Sequence, residues 1–231
     1  MLKMKKNHKI ILSLSSFLSF FCLIVFTATA QTEEVLLTNQ DYGFWSSITV
    51  EKNLTQRIRT DIEQQLRLNN YVSGFQSTFT ELGLRYRLTD YFRVGTSYRF
   101  IVRPAEMNHR ISFYAILRFQ KQNFPVRINN RILYQKTFSI APNSPVNFVR
   151  NKFELNYNLS RLVDPFITCE LFYRIYNKPD EIKKYRIFFG LEWRIDGRRD
   201  ISTFYLFQRE VNVNNPEFDY ILSISFNYRL P

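Results

Sequence analysis

The chain has 231 residues, 45% of them hydrophobic and 23% charged, with a net charge of +12, which is the length of one domain with a basic surplus. Beyond residue 30 no stretch approaches the ~20 consecutive apolar residues of a membrane helix. The six glycines form no phosphate-cradling loop, so helical membrane proteins and nucleotide-binding enzymes are both excluded.

Residues 1–30 follow the grammar of a secretory signal. Lys3, Lys5, Lys6 and Lys9 make a basic start, 10–26 carries no charge, and Ala28-Thr29-Ala30 supplies small residues for cleavage before Gln31. The competing reading is an uncleaved anchor, because the uncharged run lies at the lower edge of what spans a bilayer. Cys22 lacks the preceding small residue of a lipoprotein signal, so no lipid anchor is expected. Without the four signal lysines, 31–231 keeps 28 Lys plus Arg against 20 Asp plus Glu, a net of +8. It also keeps one cysteine, Cys169, and one histidine, His109, so no intramolecular disulfide, metal site or cofactor is expected.

Residues 33–38 offer a weak first strand. Period-two segments follow at 44–51, 57–68, 75–88, 92–101, 110–120, 126–135, 149–158, 166–175, 184–195, 201–211 and 218–230. In 57–68, Arg57, Arg59, Asp61, Glu63, Gln65 and Arg67 share one face, while Ile58, Thr60, Ile62, Gln64, Leu66 and Leu68 share the other. Across the segments from 44 onward, 27 of 28 charged residues lie on a single face of their strand, and Arg209 is the exception. Connections alternate between short ones, such as 88–91 and 195–199, and longer ones, such as 136–148 and 176–183, as at the two rims of an outer-membrane barrel. With the short turns in the periplasm, 44–51 and the last strand both run inward, and a chain entering from the periplasm needs 33–38 as one more outward strand. The expected fold is all-β: a closed antiparallel up-and-down transmembrane β-barrel of about 12 strands over 31–231, with ten as the alternative and with a polar, charged lumen.

Alternation alone does not separate a membrane barrel from a soluble lipocalin-like barrel with an apolar lumen. The bulk of the uncharged face decides for the membrane. Leu82, Leu84, Tyr86 and Leu88, or Tyr185, Ile187, Phe189, Leu191, Trp193 and Ile195, would overfill a small barrel but can coat its outside. Aromatics also crowd the strand ends at Tyr86, Tyr134, Tyr157, Tyr173, Trp193 and Tyr228, the level at which amphipathic rings meet a bilayer interface. The last strand presents Tyr220, Leu222, Ile224, Phe226, Tyr228 and Leu230 as one apolar stripe, similar to the C-terminal signal of outer-membrane barrels, although it finishes Leu230-Pro231 rather than in an aromatic.

Trp45, Glu63 with Arg67, the runs 83–86 and 95–100, Pro165 to Phe172 with Glu170, and Arg186 to Trp193 resemble an uncharacterised bacterial family known as domain of unknown function 2490. The resemblance implies an outer-membrane-type barrel and carries over no activity.

The candidate lumen-lining residues are Arg59, Glu63 and Arg67, then Glu81 and Arg85, then Arg99, Arg118 and Arg131, and finally Glu170, Arg186 and Glu192. Two readings follow from so many arginines. Cross-strand pairs with carboxylates would fill and brace the barrel, whereas a surplus of cations would make a narrow anion-preferring pore. An outer-membrane lipid-modifying enzyme is the alternative, but His109, expected in a loop at 102–109 beside Glu106, Asn108 and Ser112, has no nucleophile motif, and no catalytic residue is assigned. The expected partners are outer-membrane lipids, lipopolysaccharide near Arg209, and the barrel assembly machinery. Export past the inner membrane argues against nucleic acid.

Overall fold

A computed structural model describes residues 39–120, 124–139, 146–175 and 180–231. The signal segment, the boundary at Gln31 and the candidate strand 33–38 lie outside them. Eleven strands run up and down in chain order: β1 (Asn39–Asn53), β2 (Ile58–Asn69), β3 (Gly74–Arg87), β4 (Phe92–Val102), β5 (Met107–Gln120), β6 (Val126–Ser139), β7 (Val146–Tyr157), β8 (Val163–Ile175), β9 (Glu181–Arg194), β10 (Arg199–Glu210) and β11 (Glu217–Arg229). Each pairs antiparallel with its neighbours in sequence, and β1 closes on β11 to complete the barrel. An odd number of up-and-down strands leaves the first and last pointing the same way, so this seam is parallel, with Asn39 opposite Glu217 and Glu51 opposite Arg229. Eleven, counted among the described residues, falls between the ten and the twelve that the sequence offered.

The strands reach further than their charge pattern indicated. β6 continues to Ser139 and β7 begins at Val146, with Thr137 opposite Val146, so the expected contrast between short and long connections nearly vanishes. His109 is likewise in β5 rather than in a loop, opposite Phe100, with its Nδ1 2.5 Å from the Tyr98 hydroxyl.

Strands of this length, rising ~3.4 Å per residue and tilted by ~40°, span roughly 30–35 Å, the thickness of a bilayer core. The outer surface is apolar: Ile48, Ile62, Leu82, Phe113, Leu117, Ile132, Phe189 and Leu222 are all exposed. Toward the rim where β11 ends, here the C-terminal rim, Tyr86, Tyr157, Trp193 and Tyr228 share this outer face. Toward the opposite rim Tyr42 stacks on Tyr220 at 5.3 Å and Tyr71 lies 5.5 Å away. The β2–β3 turn there holds Asn70, Tyr71 and Val72 at φ of 50°, 56° and 68°, a left-handed run that non-glycine residues resist. Asp41 of β1 stabilises it by accepting the Asn70 and Tyr71 amides at 3.0 and 3.1 Å.

Candidate functional site

The inward faces carry most of the charges, and toward the rim where β1 begins they enclose a cavity of about 430 Å³. Residues from ten of the eleven strands reach that cavity, from Trp45 on β1 to Phe204 on β10, so it is the lumen itself. Of the residues singled out from sequence, Glu63, Arg67, Arg99, Arg131, Glu170 and Arg186 line it. Arg59, Arg85, Arg118 and Glu192, again with Arg131, line a second cavity of about 560 Å³ toward the C-terminal rim. Glu81 lines neither. It is held by Arg99 Nε at 2.5 Å. A third void of about 270 Å³ has walls in common with both, and Lys152 lines all three.

Glu170 is the hub of the wall built from β6 to β9. Its side chain is 2% exposed, it accepts Arg150 Nε at 3.1 Å and Nη2 at 2.6 Å, and it ion-pairs with Arg186 at 3.7 Å and Arg131 at 4.0 Å. Register sets this up, because Glu170 lies directly opposite Lys152 on β7 and Arg186 on β9. Beneath the cluster, the Phe172 ring centroid lies 4.4 Å from the Arg150 guanidinium and 4.7 Å from that of Arg186. Arg150 also donates to Gln135 at 3.0 Å and Arg186 to Gln208 at 2.7 Å. A carboxylate so enclosed needs this many donors, since an ion taken out of water without partners is costly.

Three cations of the cavity lack such a partner, Arg67 on β2, Arg110 on β5 and Lys184 on β9. Arg67 donates to Gln65 at 2.6 Å and lies 4.1 Å over the Trp45 ring. Arg110 donates to Thr137 at 3.0 Å, and Lys184 sits 5.1 Å from the Phe172 ring. Among the described residues none of these three has a carboxylate oxygen within 4.0 Å, and Glu63 has no cation within that distance. The buried Trp45 Nε1, beside Arg67, has no hydrogen-bond acceptor among the described residues.

The lumen also has an aromatic part that the charge pattern does not mark. Trp45, Phe188, Leu206 and Ile221 form a buried cluster inside the barrel, with Phe166 and Phe204 packed against it. Gly190 makes room for them, since a Cβ there would lie 2.4 Å from the Phe166 ring. Their signal was their phase: Phe166, Phe172 and Phe188 alternate in step with Glu170 and Arg186 rather than with the lipid-facing residues. Arg110, Arg150, Lys152 and Lys184 share the charged phase in the same way. Among the described residues no group of His, Cys, Asp and Glu is placed to hold a metal ion, and no helix is long and apolar enough to cross a membrane.

The sequence profile of the family described as "Protein of unknown function (DUF2490)" matches residues 42–219, most of the barrel. The chain belongs to this family. No curated protein matches the DUF2490 chain in sequence. Among solved structures it is similar to a bacterial polysaccharide outer membrane secretin, at 10% identity and a TM-score of 0.52 over 73% of this chain and 63% of that one. It therefore spans less than two thirds of the secretin's length. A NanC porin is similar at 10% identity and a TM-score of 0.50, over 72% of this chain and 85% of the porin. At such identity the likeness is one of fold: a closed β-barrel.

Proposed function

We propose that this protein is an outer-membrane barrel that conducts small solutes through a narrow, anion-preferring lumen. The observation that carries the reading is the trio Arg67, Arg110 and Lys184, three lumen cations on different strands without a carboxylate partner, in a cavity that also receives the positive excess of the Glu170 hub. Fixed charge in a confined, partly desolvated passage lowers the barrier for the opposite charge and raises it for the like one. The apolar outer surface with an aromatic girdle toward each rim supports residence in a bilayer. In this reading the C-terminal rim faces the periplasm, the assembly machinery recognises the apolar stripe of β11, and lipopolysaccharide meets the outward Lys136 and Arg209 near the other rim.

Planar-bilayer recording of the purified chain under a salt gradient tests the proposal. A reversal potential of the sign for chloride over potassium is expected, and cation preference would overturn it. The completeness of the Glu170 hub favours a second reading, a closed barrel with a purely structural role. A silent bilayer with protein that is folded by its heat-modifiable mobility would select that reading instead.

A further inference from the structure

At the C-terminal rim, Arg57, Arg59, Arg85, Arg87, Arg93 and Arg118 surround a pocket of about 110 Å³ whose lining holds no acidic residue. They come from four adjacent strands, β2 to β5, and from the residue just before β2. Register places like charges directly opposite each other twice, Arg59 against Arg85 and Arg87 against Arg93. Such pairs destabilise a sheet, with side chains only ~5 Å apart.

Counter-charge within the protein is scarce here. Glu51 holds Arg59 at 3.1 Å and Asp61 holds Arg85 at 3.6 Å. Arg87 donates to the Gln56 carbonyl at 2.8 Å and Arg118 to Gln120 at 2.9 Å, both neutral acceptors. Among the described residues Arg57, Arg87, Arg93 and Arg118 have no carboxylate oxygen within 4.0 Å, and Asp90 in the neighbouring turn forms no ion pair with them. The guanidinium forks therefore converge on one small space, strands ~4.8 Å apart, with most of their charge uncompensated.

We infer that this pocket binds a soluble multivalent oxyanion of the phosphate type, with anionic groups spaced a few ångströms apart so that several arginines engage it at once. Guanidinium forks match phosphate oxygens two hydrogen bonds at a time. A multivalent anion relieves both opposed pairs together, whereas a single chloride relieves neither fully. The pocket lies apart from Arg67, Arg110 and Lys184, none of which lines it, while Arg59, Arg85, Arg93 and Arg118 also border the 560 Å³ cavity.

The test is binding of inorganic tripolyphosphate to the purified full-length chain in zwitterionic detergent, by calorimetry and by thermal unfolding, with orthophosphate at equal ionic strength as the comparison. Tripolyphosphate should bind more tightly and raise the unfolding temperature, as any ligand of the folded state does. The double variant Arg87→Gln with Arg93→Gln should bind it at least about tenfold more weakly, yet unfold at the same or a higher temperature without the anion. Arg67→Gln should leave binding unchanged. Equal affinity for the two phosphates, binding unaffected by the double variant, or loss of binding in Arg67→Gln would each overturn the inference. In nanodiscs, tripolyphosphate binding should be the same in phosphatidylcholine and in phosphatidylglycerol. Abolition by the anionic lipid would make headgroups the occupant and overturn the assignment to a soluble anion.

Discussion

Two walls of one lumen carry arginines to different effect. Between β6 and β9 the cations converge on Glu170, which binds Arg150 through two nitrogens and touches Arg131 and Arg186. Between β2 and β5, Arg67 and Arg110 find only neutral acceptors, and Arg99 takes Glu81. The residue type is the same on both sides; the placement of the carboxylate separates an arginine that ties strands together from one whose charge faces the cavity uncompensated.

Removing the carboxylate breaks that comparison most directly. Glu170→Ala leaves Arg150 with no ion-pair partner in an enclosed site and should lower unfolding stability by about 3–5 kcal/mol. Arg67→Gln should change it by less than about 1 kcal/mol, because no ion pair is lost. Urea unfolding in detergent measures both, and equal losses would mean that the two walls do not differ. The next effect tests the frame on which both walls stand. Ile48→Arg, on the exposed outer face, should lower folding stability by about 2–4 kcal/mol near the bilayer midplane. Thr49→Arg, one residue on and opposite Glu63 in the lumen, should be tolerated, and the reverse order in a lipid-refolding assay would turn β1 inside out. A smaller change is expected in conductance: Arg67→Gln with Arg110→Gln should move the reversal potential toward cation permeation while unfolding stays near that of the parent, and an unchanged potential would remove these two from the selectivity wall.

The smallest effect lies outside the membrane span, in the turn between β9 and β10. A hydrogen bond from the Arg199 side chain at 2.6 Å, then the Arg198 and Arg199 amides at 2.8 Å, hold the Asp196 carboxyl below its usual range. Because the folded state lowers this pKa, its contribution to stability is present above the unfolded value near 4 and is lost as pH falls through the folded one. Asp196→Asn should therefore flatten the dependence of the unfolding midpoint slightly between about pH 5 and about pH 2; a steeper dependence would contradict the direction.

The fold was legible because the side-chain period of a strand is two, so Arg59, Asp61, Glu63 and Arg67 could share a face only on an extended chain. The strand ends were less so. At 136–139 the outward positions hold Lys136 and Phe138, so a charge on the lipid-facing side interrupts the pattern although the ladder continues. The site was legible as a phase and illegible as a set of partners. Which carboxylate meets which arginine depends on the stagger between neighbouring strands, and Glu170 reaches Arg150 and Arg131 only because β6, β7 and β8 are offset as they are. The aromatic cluster at Trp45 and Phe188 was missed because bulk was assigned to the lipid side, whereas Gly190 leaves the interior space that Phe166 fills.

The parallel seam has a kinetic consequence. Ten of the eleven pairings join strands consecutive in sequence, so each can form as a local hairpin, whereas β1 and β11 bring together residues as distant as Ser47 and Ser225, whose hydroxyls meet at 2.8 Å across 178 positions. Loop closure over so long a chain is the slowest kind of contact to make, so the seam is expected to join last, with its interactions formed after the transition state. Weakening Ser47 or the Tyr42–Tyr220 stack should therefore leave the rate of folding nearly untouched and quicken opening, so that the lifetime of the closed ring is set along one line of its wall.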